Sequence, residues 1–223
     1  MLTQIYEVSS AGEAAALSEM GVDHIGVLIG EGSFPREQSL SAAAEIAASI
    51  RGPSKFSALF LSADLALVAR QVRALQPAIV HLGAAPGLVT PQQVLELKRA
   101  VPGIPLMRSV PVVGSASIDV AESYEGIADF ILLDSYRAED KQIGALGVTH
   151  DWSISRQIVE TVRTPVILAG GLGPDNVAEA IRVVRPAGVD SKTKTDRGGS
   201  HTKDLAKVKR FHTAAKHAAH SSG

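Results

Sequence analysis

The sequence predicts an α/β protein, a single (β/α)8 TIM barrel spanning residues 1–223, and three observations predict it. Short apolar runs of strand type alternate with segments of helical period at a spacing of about 25 residues along the whole chain. The run Val166-Ile-Leu-Ala169 is continuously apolar, as a parallel strand buried on both faces should be. It passes at once into Gly170-Gly171 and then into a helical period, Val177, Ala180, Ile181 and Val184, with Pro174 where a first helical residue belongs. Parallel strands need helical crossovers, and eight such units in a chain of 223 residues favour a closed barrel. An open, doubly wound sheet is the other arrangement of the same units.

The elements follow in order. Leu2 to Val8 is the first strand, with Thr3, Ile5 and Glu7 on one face and Gln4, Tyr6 and Val8 on the other. Ser10-Ala-Gly-Glu13 has the spacing of a capping box and opens a helix to Gly21. Asp23 to Ile29 is the second strand, and a loop with Gly30, Gly32 and Pro35-Arg36 leads to a helix from Ala42 to Ile50. Phe56 to Leu61 and the helix Ala63 to Leu75 form the third unit. Pro77 to Leu82 is the fourth strand, and Thr90-Pro-Gln-Gln93 caps the helix that ends at Ala100. Pro105 to Val110 is the fifth strand, with the weakest helical pattern, Ala116 to Tyr124, behind it. Asp129 to Asp134 is the sixth, and its helix opens near Asp151-Trp152. Thr164 to Val184 supplies the seventh unit, and Ala187 to Asp190 the eighth strand. A last helix runs from about Lys203 to Ala219, and residues from about 217 onward are expected to form a flexible tail.

Composition narrows the function. Hydrophobic residues make up 45% of the chain and charged residues 20%, ordinary for a globular domain. A net charge of −1 gives no electrostatic reason for a nucleic-acid or membrane partner. The absence of cysteine excludes disulfides, thiolate metal sites and a cysteine nucleophile together. No apolar run is long enough to span a membrane, and Met1 leads directly into strand-like sequence, so a cytoplasmic protein is expected. His212, His217 and His220 belong to the tail-like end and are not read as a metal site; no metal and no cofactor are expected.

Barrel chemistry sits at the C-terminal ends of the strands and in the loops that follow them. That rule selects Tyr6, the Arg36 loop, Ser62, His81, Arg108, Asp134, Gly170-Gly171, Asp190 and the loop Ser191–Gly199. Asp134 closes a buried apolar strand, where desolvation raises a carboxyl toward the range of a general acid. Asp190 ends Gly-Val-Asp, either as a second catalytic carboxyl or to orient a phosphate loop. The planar fork of Arg36 suits a substrate carboxylate or phosphate. Gly170, Gly171, Ser191, Lys192, Thr193 and Lys194 lie on the loops after strands seven and eight, where such barrels bind phosphate. His81 is either a proton shuttle or a hydrogen-bonded core histidine. The stretch from Ser135 to His150 is long for its place and reads as a lid or binding loop. The expected partner is a small phosphorylated substrate, and assembly into a homodimer is left open.

Several of these pieces, taken in order, resemble the phosphoribosylanthranilate isomerase family of the tryptophan pathway. They are Pro35-Arg36, Val80-His-Leu-Gly83, Leu132-Leu-Asp134, Gly144-Ala-Leu-Gly147 before Asp151-Trp152, Pro165-Val-Ile-Leu-Ala-Gly-Gly-Leu172 with Asn176-Val177, and Gly188-Val-Asp190 with Lys203-Asp204. The resemblance implies ring opening and Amadori rearrangement of a phosphorylated sugar amine, an aldose–ketose isomerisation without metal or cofactor. It gives Asp134 the position of the general acid, Arg36 that of the anthranilate carboxylate clamp, and the Gly170–Gly171 and Ser191–Lys194 backbones that of the phosphate cup. Gln4-Ile-Tyr-Glu7 stands where the family has Lys-Ile-Cys-Gly, so Tyr6 occupies the place of the general base. His81-Leu-Gly-Ala84 stands for Gln-Leu-His-Gly, and Lys192-Thr-Lys194 for Ser-Ser-Gly. An unperturbed tyrosine is roughly one part in a thousand phenolate at neutral pH. Weak or no phosphoribosylanthranilate turnover is therefore expected, with Asp134 and His81 serving a related phosphosugar reaction. A lyase or aldolase on another phosphorylated substrate, and a non-catalytic phosphate-binding barrel, are the alternatives.

Overall fold

The computed structural model describes residues 1–137, 142–143 and 149–220. Its sheet is a closed barrel of parallel strands: β1 Leu2–Ile5, β2 His24–Leu28, β3 Lys55–Phe60, β4 Ile79–Leu82, β5 Leu106–Pro111, β6 Phe130–Asp134, β7 Val166–Leu168 and β8 Gly188–Ser191. Helices α1 Ala11–Glu19, α2 Leu40–Ser49, α3 Leu65–Leu75, α4 Pro91–Ala100, α5 Ala116–Glu122, α6 Trp152–Thr161, α7 Val177–Val184 and α8 Leu205–His220 follow the strands in turn. Closure comes from β1 pairing with β8, Gln4 opposite Asp190 and Ile5 opposite Ser191. The open doubly wound sheet is thereby excluded.

Side-chain alternation along the strands builds two cores. Tyr6, Leu28, Leu59, Ile79, Met107, Leu132, Ile167 and Ala169 fill the barrel interior. Their neighbours Ile5, Val27, Ala58, Val80, Ile131 and Leu168 face the helix layer and pack there.

Local chemistry sets the ends of the elements. Thr90 and Gln93 form the expected capping box, with Pro91 opening α4. Ser10 Oγ accepts from Glu13 N–H, but the Glu13 carboxylate bonds the N–H of Ser9 (3.0 Å) and of Lys203 (2.6 Å), so the box is shifted and joined to the end of the chain. β1 ends at Ile5, earlier than the sequence suggests, because the backbone turns at Glu7 into the left-handed region (φ 56°). α7 begins at Val177, and Pro174 lies in the turn before it. α8 includes residues 217–220, where the sequence suggests a tail; residues 221–223 lie outside the described part. A short hairpin, Tyr136–Arg137 with Gln142–Ile143, occupies part of the long connection after β6. Residues 138–141 and 144–148 of that connection, the whole of Gly144-Ala-Leu-Gly147 included, lie outside the described residues. No helix among the described residues is long and apolar enough to cross a membrane.

Candidate active site

The C-terminal mouth of the barrel holds a cavity lined by Tyr6, Glu7, Leu59, Leu61, His81, Gly83, Ser109, Leu132, Asp134, Asp190 and Lys192. A second cavity adjoins it, lined by Gly170, Gly171, Leu172, Ser191 and Thr193 and sharing Asp134, Asp190 and Lys192.

Tyr6 continues inward from β1 and is nearly buried. Its hydroxyl pairs with Ser57 Oγ and His81 Nδ1, both at 2.7 Å, and His81 Nε2 pairs with Ser109 Oγ at 2.7 Å. The ring fits over Gly26, where a Cβ would come within 2.1 Å of Tyr6 Cδ1. Burial raises the Tyr6 phenol well above its ordinary range, only partly offset by the Ser57 hydrogen bond. Burial, and then the charge of Arg108, push His81 down to about 3. Both groups are neutral at pH 7. A neutral imidazole has one N–H, so His81 donates to one neighbour and accepts from the other. Neither residue is thereby presented as a ready base, and of its two readings His81 has the geometry of the hydrogen-bonded core histidine, linking the Tyr6 and Ser109 hydroxyls.

The two carboxyls differ from this pair. Asp134 ends β6, and its Oδ1 accepts from the Ser135 N–H (2.7 Å) and Oγ (3.3 Å). Burial outweighs those bonds and lifts it to about 7. Asp190 is raised as well, by burial first and then by the charge of Asp134. Its Oδ1 has no hydrogen-bond partner among the described residues, although the side chain is only 6% exposed. Like charges in one dry site cannot both form cheaply, so the two titrate as a pair and hold a proton near neutrality.

A band of charge closes the mouth from one side. Arg36 Nε and Nη2 contact the two carboxylate oxygens of Glu7, the latter at 3.1 Å. Lys192 Nζ lies 3.4 Å from Glu7 Oε2, 3.2 Å from Asp196 Oδ2 and 3.3 Å from His201 Nδ1. Asp196 in turn is bound by the fully buried Lys203 at 2.6 Å. Arg36 is thus engaged inside the protein and does not line the cavity, contrary to the clamp expected of it.

The glycine elbow has the backbone it needs, with φ of 82° at Gly170 and 61° at Gly171. Asn176 pins it: its Oδ1 accepts from Gly173 N–H (2.8 Å) and its Nδ2 donates to the Gly171 carbonyl (3.1 Å). That use of Asn176 explains the late start of α7. Ser191 Oγ donates to the Leu172 carbonyl (2.7 Å), tying together the loops after β7 and β8. Lys194 opens onto a second cleft at the same elbow, lined with it by Gly171, Gly173, Asn176, Lys207 and Arg210. Of the lysines expected at the phosphate, Lys192 alone lines the elbow cavity. Arg108 is fully buried on the helix side, donating to the carbonyls of Leu82 (2.9 Å) and Ala84 (2.6 Å) and stacking on Tyr124, so it braces the loop after β4. Ser62 Oγ accepts from Asp64 N–H in a turn.

The family model for N-(5'-phosphoribosyl)anthranilate (PRA) isomerase matches residues 4–214. The chain belongs to the PRA isomerase family. The PRA isomerase of Methanocella arvoryzae is 37% identical over 201 residues, covering 89% of this chain and 90% of its own. That of Rhodopseudomonas palustris is 30% identical over 214 residues, covering 96% and 94%. Among solved structures, the PRA isomerase of Thermotoga maritima superposes with a TM-score of 0.81 at 24% identity, over 97% of this chain and 99% of that one. Another PRA isomerase, solved with reduced 1-(o-carboxyphenylamino)-1-deoxyribulose 5-phosphate, gives 0.78 at 23%, over 97% and 100%.

Tyr6 and Glu7, neighbours just past the end of β1, part company in the fold. Glu7 has a φ of 56°, a conformation that favours glycine, while Tyr6 reaches across to Ser57 and His81. Sequence reasoning did not single out Ser57 and Ser109, and it gave no role to Glu7, Asp196 or Lys203, although Asp196 lay in a selected loop and Lys203 in a resembling piece.

Proposed function

We propose that the protein is an aldose–ketose isomerase of the PRA isomerase type, acting on a phosphorylated sugar amine, with Asp134 and Asp190 as its acid–base pair. The observation that carries this is the placement of two carboxyls of raised pKa in one cavity, beside a glycine elbow suited to a phosphate. Asp134 gives its proton to the ring oxygen as the C1–O bond breaks and the nitrogen lone pair forms the C1=N bond. Asp190 takes the C2 proton through its unpartnered Oδ1, and the C–H electrons become the C1=C2 bond while the C1=N π pair returns to nitrogen, giving an enolamine that tautomerises to the aminoketose. A buried carboxylate with a raised pKa is the stronger base, and the productive form of the singly protonated pair is the one that carries its proton on Asp134 and leaves Asp190 ionised.

The phosphate lies in the elbow cavity, with Lys192 nearby to offset its charge. Tyr6 and His81 hold the shape of the site rather than move protons. The proposal extends to a cytoplasmic setting in tryptophan biosynthesis, with assembly as a homodimer to be read from sedimentation. Its test is direct. The chain should convert N-(5'-phosphoribosyl)anthranilate, or the same sugar phosphate on a plain aniline, to the aminoketose, and Asp134→Asn and Asp190→Asn should each lose at least about a hundredfold in kcat. Full turnover in both variants would remove the pair from the mechanism.

A further inference from the structure

Three residues stand in one row across the barrel wall. Gln4 on β1 pairs in register with Asp190 on β8 to one side and with His24 on β2 to the other. All three are buried, Gln4 fully so, and the proton transfers above use neither Gln4 nor His24. Gln4 Nε2 donates to Met107 Sδ in the barrel interior (3.8 Å), and Gln4 Oε1 lies 3.1 Å from His24 Nδ1. Burial, and then the charge of Lys55, push His24 down to about 4, so its ring is neutral at pH 7 and carries one N–H. An amide oxygen only accepts, so that hydrogen sits on Nδ1 and fixes which end of the Gln4 amide faces His24. The other end is the NH2 group, and its bond to Met107 leaves one hydrogen for Asp190. Burial and then the charge of Asp134 raise Asp190, with Glu7 adding to the rise; a hydrogen bond from the Gln4 side chain draws it back most, ahead of Lys203. The flipped amide would turn its oxygen on Asp190 and favour the protonated form instead.

We propose that Gln4 is a positioning residue for Asp190: with its amide oxygen held by His24, it gives the Asp190 carboxylate a fixed donor and biases the single proton of the pair toward Asp134. The inference rests on the isomerase reading above and names the group that keeps its base ionised. Two carboxyls that share one proton ionise in the order of their donors. Asp134 has the N–H and hydroxyl of Ser135, so without Gln4 the proton would favour Asp190 and the pair would stand in its idle form.

The test is steady-state kinetics on N-(5'-phosphoribosyl)anthranilate across pH, for wild type, Gln4→Met, His24→Phe, the double variant and Asp190→Asn. Methionine keeps the length of Gln4 without its amide. Gln4→Met should lower kcat by roughly tenfold, the worth of one hydrogen bond to a charged group, with KM within about threefold because Gln4 does not line the cavity. The limb of kcat/KM that rises with pH should move to higher pH, since Asp190 loses a donor to its ionised form. His24→Phe should move the limb the same way, and the double variant should be no worse than Gln4→Met, because His24 acts through Gln4. Nitrogen NMR of the wild type should show His24 as its Nδ1–H tautomer; the Nε2–H tautomer would turn the amide round and overturn the proposal by itself. A Gln4→Met enzyme with an unmoved limb, as fast as wild type or slower, overturns it too, and an inactive Asp190→Asn beside it leaves the isomerase reading intact. A wild type that turns over neither this substrate nor its plain aniline analogue, or an Asp190→Asn variant with full turnover, overturns both.

Discussion

The substitution Gly26→Ala tests the packing of Tyr6 most sharply. A Cβ there would lie 2.1 Å from Tyr6 Cδ1 and Cε1 and 2.7 Å from Cγ, so the ring must withdraw by about 1.4 Å to reach ordinary contact. It cannot do so freely, because its hydroxyl is held at 2.7 Å by both Ser57 and His81 inside the barrel. Overpacking of a tight core costs about 1–3 kcal/mol. A displaced ring also leaves a buried polar partner unsatisfied, about 1–3 kcal/mol again, and the two overlap. Against this, Gly→Ala limits the unfolded chain, worth about 0.4–1 kcal/mol. The net loss should be about 2 kcal/mol, or roughly 4–8 °C in Tm for a domain of this size. The assay is urea denaturation followed by circular dichroism, on wild type, Gly26→Ala, Tyr6→Cys and the double variant. With the ring removed, the added methyl meets open space, so the cycle should show a coupling of about 1–3 kcal/mol. Additive effects would mean that the ring does not occupy the place assigned to it.

Other outcomes follow from the charges and the elbow. Asp134 is protonated to about pH 7 in the folded protein but ionises near 3.8 when unfolded, so its contribution to stability falls as pH rises from about 4 to about 7. Asp134→Asn should then be more stable than wild type at pH 8, by about 1–4 kcal/mol, with the gap closing toward pH 4 in denaturation curves. Lys203→Met strands the buried Asp196, which keeps only Lys192 at 3.2 Å, and should cost about 3 kcal/mol in the same measurement. Gly171→Val forces a β-branched residue to a φ of 61° beside the elbow cavity, and should lower phosphosugar affinity at least tenfold by calorimetry. Unaltered affinity in that variant would move the phosphate elsewhere.

Most of the barrel was legible because parallel strands buried on both faces leave apolar runs, and helices between them leave a period. The strand ends, where the chemistry sits, were less so. An alternation carried through Leu2 to Val8 sets Glu7 with Thr3 and Ile5, yet its positive φ brings it to the cavity beside Tyr6. Asp134, Asp190 and the glycines stood out by their place at the ends of apolar strands. Ser57 and Ser109 did not, since a lone serine in a strand has many uses. The pairings Arg36–Glu7 and Lys203–Asp196 are tertiary facts: each side chain advertises a charge, and only the fold assigns its partner. Lys192 and Lys194, equivalent as sequence, part company because the turn of 3-10 helix at Thr193–Thr195 sends them to different cavities.

The most direct measurement is the pH profile of kcat/KM for the phosphoribosylated aniline, in wild type, Asp190→Asn and Tyr6→Phe. The carboxyl pair should give a wild-type profile that declines above about pH 7 as the Asp134 proton is lost, a rate at least a hundredfold lower in Asp190→Asn, and a Tyr6→Phe variant within tenfold of wild type with the same decline. A profile that instead rises toward pH 10, is abolished in Tyr6→Phe and is spared in Asp190→Asn would make the tyrosine the base and contradict the account.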